Sequence, residues 1–122
     1  MTPDDLWNRY SAIWSISDTA GRGNELSVCL ADEATYCDRN GLLVGHDAIS
    51  SYMAQFQASV PGGRFHISSV LHHHDRSLAQ WFLTGADGSV LQMGTSFGAI
   101  SDNGRLLAIS GFFHPASSTA TA

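Results

Sequence analysis

Hydrophobic spacing divides the chain near Gly63. Before it, apolar residues recur every three or four positions; after it, they alternate. Thr2 is placed to cap a first helix, Pro3 suits its first turn, and Asp4 and Asp5 complement the positive end of its dipole. Leu6, Tyr10, Ile13, Trp14 and Ser17 follow at helical spacing, with Trp7 flanking the stripe. Asp18, Gly21 and Gly23 are expected to break this helix, with Asp18 ending it, and a second, shorter helix is predicted over 24–30. Residues 34–38 suit a short strand, and Arg39-Asn40-Gly41 is a turn signal. A third helix opens near Gly45, with His46 and Asp47 as expected caps. It carries Ile49, Tyr52, Met53, Phe56 and Val60 on one side and stops at Pro61-Gly62-Gly63.

Beyond Gly63 the period-two pattern predicts strands over 64–74, 77–85, 89–100 and 105–114. The links Asp75-Arg76, Ala86-Asp87-Gly88 and Ser101-Asp102-Asn103-Gly104 are short, so neighbouring strands should pair antiparallel as a meander. The fold class is therefore α+β, with three N-terminal helices packed on a curved, mostly antiparallel sheet. Strands of this length must twist, and Gly94, Gly98 and Gly111 stand inside them, where glycine marks a bulge or bend. A concave sheet covered by helices leaves room for an internal pocket. Residues 1–115 should form one domain, and the Ser/Thr/Ala-only tail at 116–122 is expected to be disordered.

Composition narrows the function. A net charge of -5 with scattered Lys and Arg excludes nucleic acid as a partner, since no basic patch can neutralise phosphates. No apolar run approaches the ~20 residues of a membrane span, and the N-terminus lacks a signal-peptide layout, so a cytoplasmic protein is expected. Cys29 and Cys37 have no metal-type spacing and are read as free thiols.

The order of short motifs resembles a known group. Asn8-Arg9-Tyr10, Asp18 and the segment from Leu30 to Asp38 resemble the front half of SnoaL-like and ketosteroid isomerase-like proteins. These belong to the nuclear transport factor 2-like superfamily. Gly45-His46-Asp47-Ala48-Ile49 is similar to the family's lead-in to its third helix. Pro61-Gly62-Gly63-Arg64-Phe65, His73-His74-Asp75, Trp81, Gly88, Gly94-Thr95-Ser96, Asp102 to Leu106 and Gly111-Phe112-Phe113 extend the resemblance to nearly the whole chain. It implies a cone-shaped half-barrel. It also implies that Tyr10, in an Arg-Tyr pair, donates to an oxyanion and that Asp38 acts as general base. The family's second acid, on the third long strand, has no counterpart here. Its position falls on Thr95 or Ser96, alternatives separated by a one-residue register choice. Asp38 is followed by Arg39 where the family usually has proline. Both departures argue against ketosteroid isomerase activity itself.

The fold hosts enzymes and binders alike. The expected function is cofactor-independent acid–base chemistry, such as isomerisation, cyclisation or dehydration, on a small apolar molecule. The alternative is a non-catalytic ligand-binding or dimerisation domain, and a homodimer through the outer sheet face is expected. Candidate catalytic residues are Asp38 as base, with Tyr10 and His74 as donors. Asp38 equally suits a turn that caps Asn40-Gly41. Candidate ligand contacts are Trp14, Tyr52, Met53, Phe56, Trp81, Thr95, Ser96 and Phe112. A metal at His72-His73-His74 is not expected: His66 shares the parity of His72 and His74 but lies about 20 Å from His72 along an extended strand. Parity puts Gln92 and Ser96 on one sheet face and Met93, Thr95 and Phe97 on the other, without deciding which is concave.

Overall fold

The computed structural model describes residues 1–115; the expected disordered tail lies outside the described residues. Helices α1 (Pro3–Ile13) and α2 (Thr19–Cys29) precede strands β1 (Leu30–Asp38) and β2 (Gly41–Val44). Helix α3 (His46–Ser59) follows, then β3 (Arg64–His73), β4 (Arg76–Thr84), β5 (Val90–Ile100) and β6 (Leu106–Phe113). The six strands form one sheet in the order β2-β1-β6-β5-β4-β3. All neighbours are antiparallel except β1 and β6, which run parallel and bring Tyr36 beside Ile109 and Cys37 beside Ser110. The sheet is mixed and not closed into a barrel, and the helices cover its concave face.

Helix α1 starts as the sequence implies. Thr2 Oγ1 accepts from the Asp5 backbone N–H, and the Asp5 carboxylate accepts from that of Thr2, each at 3.1 Å. The next stretch departs from expectation. α1 ends at Ile13, so Ser17 lies outside it, and Asp18 starts α2 by accepting from the Gly21 N–H at 2.7 Å. Gly21 and Gly23 sit within α2 although glycine costs about 1 kcal/mol at an interior helical position. Arg22 supplies the compensation. It is buried and donates to the carbonyls of Ile16 and Ser17 and to Ser50, tying α2 to the preceding link and to α3. His46 and Asp47 do not cap α3. Gly45 holds the cap position at φ 86°, and a His46 ring nitrogen instead lies 2.8 Å from the Ala31 carbonyl oxygen. Strand β2 is an addition to the sequence reading; its Leu42 and Val44 are exposed on the sheet edge, so no buried stripe announced it.

Trp7, Ile13, Leu26, Leu30, Ile49, Met53, Leu106 and Ile109 form the fully buried centre between helices and sheet. The glycines of β5 prove to be seats for tryptophans, and the ladder shifts register elsewhere. A Cβ on Gly98 would stand 2.7 Å from Trp7 Cζ2, and one on Gly94 would stand 2.1 Å from Trp81 Cζ2 and 2.6 Å from the Phe112 carbonyl oxygen. Each indole lies across its glycine and donates to a serine: Trp7 Nε1 to Ser77 at 2.7 Å and Trp81 Nε1 to Ser96 at 3.0 Å. Gly94→Ala is therefore expected to cost about 3 kcal/mol, because neither the ring nor the backbone oxygen has room to yield. At Gly111 the nearest atoms to an added Cβ stand at 3.5–3.8 Å, so Gly111→Ala should cost less than about 1 kcal/mol. Urea denaturation of the two variants checks this, and equal midpoints would contradict it.

Candidate functional site

Two adjoining chambers open between the helices and the concave face. They share Trp14, Tyr36, Phe65, Trp81 and Phe113 as walls. The larger holds about 380 Å³ and is bordered by Asp38, Tyr52, Phe56, Leu83 and Gln92, with exposed Arg39, Asn40, Gln55 and Ser59 at its outer edge. The inner one holds about 40 Å³ and is closed by Trp7, Tyr10, Ser11, Ile67, Ser96 and Gly111. By volume the inner chamber admits only a small group, while the outer one admits a small molecule.

Asp38 is the last residue of β1, and the turn after it fixes its side chain. Oδ1 accepts from the Asn40 N–H at 2.8 Å, as a turn aspartate should. The same carboxylate accepts from Tyr36 Oη at 2.8 Å and from Tyr52 Oη at 2.8 and 3.0 Å. The carboxylate thus takes four contacts from three donors, two on each oxygen, with the Tyr52 hydroxyl shared between them. Tyr36 stands two residues before Asp38, so period-two alternation puts both on one face of β1; Tyr52 reaches in from α3.

Tyr10 is buried on α1, and its hydroxyl hydrogen finds no acceptor among the described residues. The Ser96 hydroxyl accepts from Trp81 and likewise keeps its own hydrogen free among the described residues. Ser96 Oγ, Tyr36 Oη and Asp38 Cβ all lie within 4 Å of the point a Cβ would occupy on Gly111. Gly111 therefore marks where the polar groups converge. Burial pushes the phenols of Tyr10 and Tyr36 well above the ordinary tyrosine range; the charge of Asp38 adds to this at Tyr10, and neighbouring Tyr10 and Asp38 add to it at Tyr36. Tyr52 is pushed up to about 12, chiefly by burial and then by its bond to Asp38. All three phenols remain protonated donors at neutral pH.

Of the residues singled out from sequence, Asp38, Tyr10, Trp14, Tyr52, Phe56, Trp81 and Ser96 line these chambers. Four do not. His74 sits at φ 53° in the exposed turn after β3, roughly 30 Å along that strand from Phe65 and outside both walls. Met53 is fully buried in the core behind the site. Thr95 and Phe112 face outward: Thr95 Oγ1 lies 2.8 Å from His114 Nε2, and Phe112 is 63% exposed. The register is thereby decided, with Gln92, Gly94 and Ser96 on the concave side. Sequence reasoning missed Tyr36, Trp7, Phe65 and Ile67 as walls. For Tyr36 a signal existed in its parity with Asp38. Among the described residues no group of three His, Cys, Asp or Glu side chains is placed to hold a metal, no helix is long and apolar enough to cross a membrane, and both cysteines are free.

Solved structures with the same fold are numerous. A proposed isomerase of the SnoaL-like family from Agrobacterium tumefaciens str. C58 superposes with a TM-score of 0.87 at 23% identity, covering 94% of this chain and 100% of that one. A protein from Catenulispora acidiphila with a ketosteroid isomerase-like fold, solved in complex with trimethylamine, gives 0.75 at 16% identity over 94% and 89% of the two chains. A proposed polyketide cyclase from Sinorhizobium meliloti gives 0.70 at 19% over 88% and 94%. At these identities the likeness establishes the fold. No curated protein matches the sequence. Residues 7–109 match the SnoaL-like domain, and with that span and the shared architecture the chain belongs to the SnoaL-like domain family.

Proposed function

We propose that this protein removes and returns a proton next to a carbonyl group of a small, largely apolar substrate, the step common to isomerisation, cyclisation and dehydration. Asp38 takes the proton, and the free hydroxyl hydrogens of Tyr10 and Ser96 bond the oxygen on which negative charge develops. The observation that carries this reading is the convergence at Gly111. The Asp38 carboxylate on the wall of the outer chamber adjoins the inner chamber, which Gly111 and Ser96 line together with a buried phenol, Tyr10, that has a proton to donate. The naming of two structural neighbours as a proposed isomerase and a proposed polyketide cyclase accords with this chemistry. The test is deuterium uptake at the carbon beside the carbonyl in a panel of small cyclic and aryl ketones in D2O, followed by NMR. The protein should accelerate uptake for at least one ketone, and Tyr10→Phe should slow it by roughly 10²-fold. Binding without any acceleration would favour the non-catalytic alternative.

A homodimer through the outer sheet face is a second proposal, favoured by one observation. Exposed Leu78 and Phe97 face each other across β4 and β5, with exposed Met93 and Phe112 on the same side. A contiguous apolar patch of this kind is uncommon on a monomer. Sedimentation at micromolar concentration should show a dimer, and Phe112→Asp should dissociate it. A wild-type monomer would contradict the proposal.

A further inference from the structure

The larger chamber has two charged residues on its wall, Asp38 and Arg39, and they are held in different ways. The charge of Asp38 is spread over the donors from Tyr36, Tyr52 and Asn40. Arg39 has no such partners: among the described residues it takes part in none of the ion pairs or side-chain hydrogen bonds. Its guanidinium carbon instead lies 4.6 Å from the centre of the Phe113 ring. Phe113 belongs to the walls of both chambers, so the contact holds a cation at the exposed edge of the outer chamber. A guanidinium stacked on a ring keeps its N–H edges open, and those edges match the two oxygens of a carboxylate. Asn40 and Gln55 at the same edge add neutral side chains able to donate.

Resting on the proposed proton-transfer reading, we infer that Arg39 determines the substrate class: an amphipathic small molecule whose anionic carboxylate is held at the mouth by Arg39. Its apolar part lies against Trp14, Phe65 and Trp81. The ring of Phe113 shields one face of the guanidinium from water, which strengthens its pairing with an anion relative to a free surface arginine. Arg39 is a specificity-determining residue in this scheme and takes no part in the proton transfer.

Three probes of one shape and different charge separate the possibilities: phenylacetate, its neutral amide phenylacetamide, and the cation 2-phenylethylammonium. Their binding can be followed by quenching of tryptophan fluorescence, since Trp14 and Trp81 line the chamber. The wild type should bind phenylacetate roughly tenfold more tightly than the amide, the size expected of a charge-assisted bidentate contact. Arg39→Gln should erase that preference while leaving amide affinity within about twofold, and Arg39→Lys should retain part of it. Raising the salt concentration should narrow the gap in the wild type and not in Arg39→Gln. Equal binding of anion and amide would overturn the inference, as would a preference for the ammonium or an anion preference that survives Arg39→Gln. Proton exchange on neutral ketones is independent of this result, so Arg39 can fail while the Asp38 chemistry stands. Binding of none of the three probes would likewise overturn the inference, while proton exchange on ketones decides the Asp38 reading separately.

Discussion

Asp38→Asn is expected to lower catalysed proton exchange by 10²–10⁴-fold, the usual contribution of a positioned general base. The amide is close in shape to the carboxylate but cannot accept a proton from carbon. The substitution also disturbs the donors around it. Tyr36 and Tyr52 both give their hydroxyl protons to this group, whereas an asparagine offers one oxygen and turns a pair of N–H donors toward one of them. A local stability cost of about 1–3 kcal/mol accompanies the loss of activity. Ligand affinity, measured by tryptophan quenching, should change by only a few fold, because the walls from Trp14, Phe65 and Trp81 are untouched. Rates and affinities falling together to the same extent would mean that Asp38 shapes the cavity without transferring a proton.

The protein should unfold abruptly at alkaline pH, and its tyrosines should titrate only as it does so. Tyr10 and Tyr36 are buried, and burial raises both phenols above the ~10 of an unfolded tyrosine. The folded state therefore keeps protons that the unfolded chain releases. Stability from this source is fully present below pH ~10 and is lost as pH rises above it, by about 1.4 kcal/mol per unit for each group. The two together remove about 3 kcal/mol per pH unit, against a total of ~5–15 kcal/mol for a domain of this size. Absorbance at 295 nm should stay flat through pH 10 and then rise in one step with loss of circular dichroism. Tyr36→Phe should make the stability loss less steep by about the share of one raised phenol. A smooth tyrosinate titration centred at pH 10 in the folded protein would contradict the burial of the site.

Much of this architecture was legible because a few residues signal it strongly. Thr2-Pro3-Asp4-Asp5 can hardly start anything but a helix, and the alternation after Gly63 announces the long strands. Tyr10 and Asp38 were found through a resemblance, and Tyr52, Phe56 and Trp14 through helical stripes that do face the sheet. The failures have physical causes. Gly21 and Gly23 read as breakers because the arginine between them supports the helix through contacts with Ile16, Ser17 and Ser50, invisible to local propensity. Thr95, Ser96 and Phe112 turned on strand register, which depends on how β5 pairs with its neighbours and is decided by Trp81 lying over Gly94. His74 attracted attention by chemistry alone; a turn at the far end of β3 takes it away from the cavity. Two of the three donors to Asp38, the Asn40 amide and Tyr36, come from within two residues of it. Only Tyr52 required the tertiary fold.

The central claim is that Tyr10 and Asp38 act on one ligand from the two chambers. A crystal structure with a ketone bound, chosen as the one whose proton exchange the protein most accelerates, tests it most directly. The ketone oxygen should lie within about 3 Å of Tyr10 Oη, and the exchanging carbon within about 3.5 Å of an Asp38 carboxylate oxygen. A ketone seated outside these chambers, or with its oxygen turned toward Asp38 and away from Tyr10, would contradict the account.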